Sequence, residues 1–186
     1  MSSEMTIPAD LCLDGPLWQF AGRFWSRPAA QTAALLLQER GWSVTDILCA
    51  LWLALQERRF YGTNAEQVIV WRDQVTEILR KARKAIRKGN PATDQARDCI
   101  ARGELEAEKV ELALAYRALT QSKPASAVPQ VAPQVAQQES TVKALALENL
   151  QAAAPEKAMD NETDRLLETL TNEIQILAEG DHQSCL

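Results

Sequence analysis

Six cations, Arg80, Lys81, Arg83, Lys84, Arg87 and Lys88, stand within nine residues, and Glu104, Glu106, Glu108 and Glu111 come a short way further along the chain. Two kinds of chemistry suit these residue types. A cationic helix face neutralises phosphates, giving a sequence-independent hold on nucleic acid that falls steeply with salt. Carboxylates one helical turn apart, such as Glu104 and Glu108, perform acid–base work or hold magnesium. Helical spacing spreads the six cations around more than half the circumference, and no aromatic interleaves with them as a stacking platform. Lys109 interrupts the acids, which read as a solvent face, and no D-D-x-x-D run exists. An ordinary helix end accounts for most of the basic cluster. Cations stabilise a helix C-terminus, and the glutamates fall within reach across an antiparallel pair. A protein partner at Arg80, Arg83, Lys84 and Arg87 is the functional reading retained, with nucleic acid behind it.

The thiols and the single imidazole exclude other chemistries. Cys12, Cys49, Cys99 and Cys185 are far apart and form no C-x-x-C pair, and the one histidine, His182, stands near the C-terminus. A structural zinc or iron–sulfur site needs several soft ligands at short fixed spacing, so no metal or other cofactor is expected. Nucleophilic catalysis by a Ser-His-Asp or Cys-His pair fails for the same want of a well-placed histidine. Cys49 lies in an apolar run and reads as a small core residue.

Composition describes a globular chain of 186 residues, 46% hydrophobic and 24% charged, long enough for one buried core. Charge is uneven: residues 1–119 carry net +1 and residues 120–186 net −6. The N-terminal MSSEMTIPADLCLDGP has no basic flank before an apolar stretch and does not read as a secretory signal. The longest apolar run, Ile47 to Leu55, is nine residues, short of the roughly 20 that span a bilayer. A cytoplasmic protein with reduced thiols is expected.

Five helices must position these side chains. Pro16 opens the first, with Leu17, Phe20, Ala21 and Phe24 as its apolar stripe. Pro28 separates it from a second, about residues 29–40. Gly41 suits a left-handed stop, Ser43 and Asp46 form a capping box, and Trp42 packs back on Leu37 and forward on Ile47. The third helix, from Val44 to about Arg59, has no polar side chain between Asp46 and Gln56, so it must be central. Thr63 and Glu66 cap a fourth helix running to Lys88, whose stripe is Val68, Trp71, Val75, Ile78 and Ala82. Gly89-Asn90-Pro91 turns the chain into an antiparallel fifth helix ending near Leu119.

All five tryptophans and all three phenylalanines fall between Trp18 and Trp71, so the core is expected there. Residues 120–140, with three prolines and no aromatic, read as a flexible linker. The acidic tail, 141–186, is helix-prone and partly disordered by composition. Leu167, Leu170, Ile174 and Leu177 form a stripe that needs a partner surface, since an isolated helix of this length is marginal in water. That surface is either a groove on the protein's own bundle or one on another protein.

The opening Leu17-Trp18-x-Phe20-Ala21-x-x-Phe24-Trp25-x-x-Pro28, the central Leu51-Trp52-Leu53, the Trp71-Arg72 start of the basic helix and Glu104-Leu105-Glu106-Ala107-Glu108 together resemble an uncharacterised family of small all-helical proteobacterial proteins. The resemblance covers residue 17 to about residue 119. It implies a bacterial cytoplasmic protein with a shared body and a variable tail, and brings no activity and no catalytic residue.

The sequence thus describes an all-α protein: a five-helix bundle domain (1–119), a Pro/Ala/Gln-rich linker (120–140) and one or two tail helices (141–186). Its expected role is a non-catalytic adaptor or accessory protein. The partner, an unidentified protein, would be held through Leu167, Leu170, Ile174 and Leu177, through Arg80, Arg83, Lys84 and Arg87, or both. The alternatives are a small-molecule or lipid-handling bundle, an enzyme among its forms, whose aromatic core encloses a pocket, and a weak nucleic-acid binder acting through the basic end of the fourth helix.

Overall fold

Two local stops set the geometry around the most apolar helix. α2 (Pro28–Glu39) ends at Gly41, whose φ of +91° only glycine adopts freely. Gly41 N–H donates to Gln38 O at 3.0 Å and Trp42 N–H to Leu37 O at 3.1 Å, the paired bonds of a left-handed helix stop. Ser43 Oγ then accepts the Asp46 N–H at 3.2 Å and caps α3 (Val44–Leu55). Both junctions agree with the sequence reading, and Trp42 and Ile47 are buried on either side of the cap. α3 ends in the same way, with Arg58 N–H on Leu53 O and Glu57 N–H on Ala54 O, although here Glu57 holds the left-handed position at φ +53°.

This computed structural model describes residues 5–63, 65–121, 135–155 and 160–183. Every regular element among them is helical. The chain begins helical structure with α1 (Pro16–Trp25) and continues through α2 and α3. α4 (Glu66–Trp71), a π-helical turn (Arg72–Thr76) and α5 (Glu77–Ala85) form one continuous rod, and after it come α6 (Asp94–Gln121), α7 (Val135–Ala152) and α8 (Asn161–Gln183). No helix among the described residues is long and apolar enough to cross a membrane.

The all-α class holds, but the helices do not form a single five-helix bundle. They divide into two compact units, one of residues 1–18 and 63–122, the other of residues 19–62 and 123–186. In the first unit the α4–α5 rod packs along α6. In the second, α3 lies against α7, α2 against α8, and α7 against α8. These units cut the chain differently from the expected division at residues 119 and 140. α7 begins at Val135, inside the expected linker, and residues 122–134 of that linker lie outside the described residues. The physical reason is area: α3 buries nine of its twelve residues, Thr45 and Ile47 through Ala54, and α2 covers too little of that surface alone. Helix α3 is central, as its composition requires, with α7 and α8 supplying the cover.

α7 is locked in place by one buried side chain. Asn149 Oδ1 accepts the Phe60 N–H at 2.8 Å. Its Nδ2 donates to Ala50 O at 3.0 Å and to Arg58 O at 2.9 Å. Ala50 O belongs to α3, while Arg58 O and Phe60 N–H lie in the irregular segment after it, so the amide satisfies two backbone groups of that segment and ties them to a carbonyl of α3. Arg27–Glu173, Arg40 with Asp160 and Glu162, and Arg59–Glu148 form ion pairs around the same unit.

Candidate functional site

The basic and acidic clusters meet along the α4–α5 rod and α6. Arg72 pairs with Glu111 at 2.7 Å, Arg80 with Glu104 at 3.1 Å and Glu108 at 2.6 Å, and Arg83 with Glu104. As numbers rise along the rod they fall along α6, so the two run antiparallel, as the short connection predicts. Glu77, one turn back, also pairs with Arg80. Trp71 Nε1 donates to Ala107 O at 2.9 Å, which fixes the indole on α6 and satisfies its polar edge.

The π-helical turn makes this alignment. In an unbroken α-helix Arg72 and Arg80, eight residues apart, stand about 80° out of register. The turn at Arg72–Thr76 absorbs roughly one extra residue, rotates the remainder of the rod by about 90° and returns both arginines to the face of α6. The same rotation corrects the expected apolar stripe: Thr76 is buried, while Ile78, placed inward by its spacing, is 55% exposed. The start of the rod also departs from expectation. Its first helical residue is Glu66, with Ala65 at the cap position and no side-chain cap, so Thr63 stands too far back to serve.

The carboxylates read from sequence as a solvent face are in large part buried. Glu104 is 5% and Glu111 2% exposed. Burial alone works against the Glu104 charge, but the Arg83 and Arg80 guanidiniums outweigh it and hold this carboxyl below the usual carboxylate range. Burial pushes Glu108 up, only partly offset by Arg80, with Glu104 and Glu111 adding repulsion. Burial likewise works against the Arg80 charge, and Glu77, Glu108 and Glu104 more than compensate. These are carboxylates committed to arginines; Glu104 has both oxygens engaged and offers no free base. The spacing of Glu104, Glu108 and Glu111, on one helical face, was the signal available in the sequence.

Glu104→Gln is expected to destabilise the first unit by roughly 2–4 kcal/mol at pH 7, because it leaves two guanidiniums short of a counter-charge. Since the folded-state pKa of Glu104 is depressed, its contribution is present above the unfolded carboxylate pKa and disappears as pH falls through the folded value. Urea unfolding at a series of pH values should therefore show the gap between variant and parent closing in acid. A gap that stays constant would contradict the assignment.

The cations sort into two sets. Arg80 and Arg83 are enclosed in the ion-pair ladder, whereas Lys81, Lys84, Arg87 and Lys88 are exposed. Helix α5 stops at Ala85, earlier than the expected Lys88, so Arg87 and Lys88 lie in the turn to α6. That turn is ordered by Arg97 Nε on Ile86 O at 3.2 Å and by Gly89 N–H on Asp94 Oδ1 at 2.9 Å.

The tail stripe is not free. Leu167, Leu170 and Ile174 are buried in their own unit, where α8 packs on α2, and Leu177 is half-buried. Of the two grooves left open by the sequence, the stripe occupies the protein's own. Phe24 and Cys49 are fully buried, and Trp52 is 8% exposed. A shallow cleft of about 320 Å³ between α4 and the end of α6 is lined by Gln67, Val68, Leu114, Arg117 and neighbours, and none of the core aromatics reaches it. Sequence reasoning missed Asn149, a polar residue on an otherwise unremarked helix, and the N-terminal strap. Asp10 pairs with Arg117 and Asp14 with Lys109, each at 2.7 Å, and Lys109 Nζ also lies 5.4 Å from the Trp18 ring centre.

No curated protein and no solved structure matches the chain. The sequence model of one family, described as protein of unknown function (DUF2390), matches residues 16–114. That match takes in the aromatic opening, the central Leu51-Trp52-Leu53 and the arginine–glutamate ladder, more than half of the molecule, and on it the chain belongs to the DUF2390 family.

Proposed function

We propose that the protein is a non-catalytic adaptor or accessory protein of the bacterial cytoplasm, acting by binding another protein through the cationic end of α5 and the turn after it. The observation that carries this reading is the sorting of the cations. Arg80 and Arg83 are neutralised by Glu104 and Glu108, while Lys81, Lys84, Arg87 and Lys88 remain on the surface in a chain of net charge −5. Cations gathered at one end of a helix suit a partner with an acidic surface, by complementary charge that steers association. The buried state of Phe24 and Trp52, and the backbone bond of Trp71, support a structural use of the aromatics over a ligand pocket.

The test is affinity purification of the tagged full-length protein from its own host. The comparison is a variant with Lys81, Lys84, Arg87 and Lys88 all replaced by Gln. An acidic partner protein recovered with the parent should lose about tenfold in affinity with the variant, while the unfolding midpoint changes little. Undiminished recovery of the same partners would refute the cationic end of α5 as the contact. A complex with RNA at physiological salt, lost in the variant, would replace the protein partner by nucleic acid.

A further inference from the structure

We propose that the face formed by α2 and α3 is a receptor for a helical hairpin and that α7–α8 is its exchangeable occupant, so that the same hairpin from a second copy of the chain fits the same face. Three observations carry this independently of the cationic cluster.

The first is covalent order. The receptor, within residues 19–62, and the hairpin, from Val135 onward, are separated in the chain by residues 63–122, which belong to the other compact unit. The hairpin joins its receptor as a distant segment, through a connection containing residues 122–134.

The second is the make-up of the contact, which has the anatomy of an interface between proteins. Leu167, Leu170 and Ile174 form a fully buried apolar centre. Arg27–Glu173 and Arg40–Asp160 supply a charged rim contributed from both sides. Asn149 adds three directional bonds to backbone groups of α3 and the segment after it, and these admit one register only. Such contacts specify a partner as well as cover a surface.

The third is the extent of the family match. It includes α2 and α3 entire and ends at residue 114, so the helices that cover them here lie outside the sequence that defines the family. The receptor face belongs to the shared body and its occupant does not. Tethering gives the chain's own hairpin an effective concentration of about millimolar, so a second copy's hairpin competes only when the first is released or disabled.

Two measurements test this, and failure of either overturns it. In hydrogen exchange on the unmodified full chain, the amides of α7 and α8 should open as one block under conditions where those of α3 stay protected. Exchange of α7–α8 only together with α3, by global unfolding, would make the hairpin an inseparable part of the core. In the second, a synthetic peptide of residues 135–183 is added to the full chain carrying Leu170→Asp and Ile174→Asp. It should form a one-to-one complex and restore the lost protection, and the same peptide with Asn149→Asp should bind at least about tenfold more weakly. No complex, or equal binding by the two peptides, would refute recognition in trans.

Discussion

Leu170→Asp combined with Ile174→Asp is expected to release α7–α8 from α2 and α3 and so to remove the cooperative transition in which that hairpin detaches. Both side chains are fully buried where α8 packs on α2. Each substitution removes an apolar side chain and places a carboxylate with no partner in its stead, at a cost of several kcal/mol apiece. Together they approach the roughly 5–15 kcal/mol that stabilise a typical domain. Trp42 and Trp52 lie in this unit and report on it through fluorescence during a urea titration. Truncation after Gln121 should have the same effect, since it removes α7 and α8 altogether, although the sequence reads residues 1–119 as a bundle domain of their own. A double variant or a truncated chain with a nearly parental midpoint would mean that α7–α8 contributes little to the core.

Asn149→Asp is the second large effect. The asparagine amide donates to two carbonyls, Ala50 O and Arg58 O, and accepts one N–H, that of Phe60, in a site where the residue is 1% exposed. A carboxylate keeps the Phe60 bond but turns an acceptor toward two acceptors and brings a buried negative charge with it. A loss of roughly 4–6 kcal/mol at pH 7 is expected, against about 3 kcal/mol for Asn149→Ala, which takes the amide away from Arg58 O and Phe60 N–H and removes its bond to Ala50 O without adding charge. The pH dependence separates the causes. Burial raises the folded-state pKa of the introduced acid, so its cost is full at neutral pH and is relieved as pH falls through that raised value. Alanine should show no such relief. Equal, mild losses for both substitutions at pH 7 would show that the three bonds do not hold α7 in place.

The sequence by itself determined those features that neighbouring residues decide between them. Gly41 with the backbone bonds of Trp42, and Ser43 capping onto Asp46, are closed within a few residues, so residue type and spacing suffice to place them. The same holds for the burial of α3, because a helix with no polar face has only one way to sit. The π-helical turn at Arg72–Thr76 carries no such signature: its stability comes from the pairs it aligns, Arg72 on Glu111 and Arg80 on Glu104, contacts that exist only once α6 lies alongside. That is why Ile78 was placed inward by a periodicity that assumed an unbroken helix, while Glu104 was placed outward because it stands among acids interrupted by Lys109, its arginine partners being visible only across the helix pair. The stripe of Leu167, Leu170 and Ile174 announced that something must cover it, since apolar area is sequence-local, but non-directional attraction names no partner. Only the tertiary structure could choose α2, and it did so with directional contacts that the linear order conceals: Asn149 reaching Ala50, Arg58 and Phe60, and Arg27 reaching Glu173.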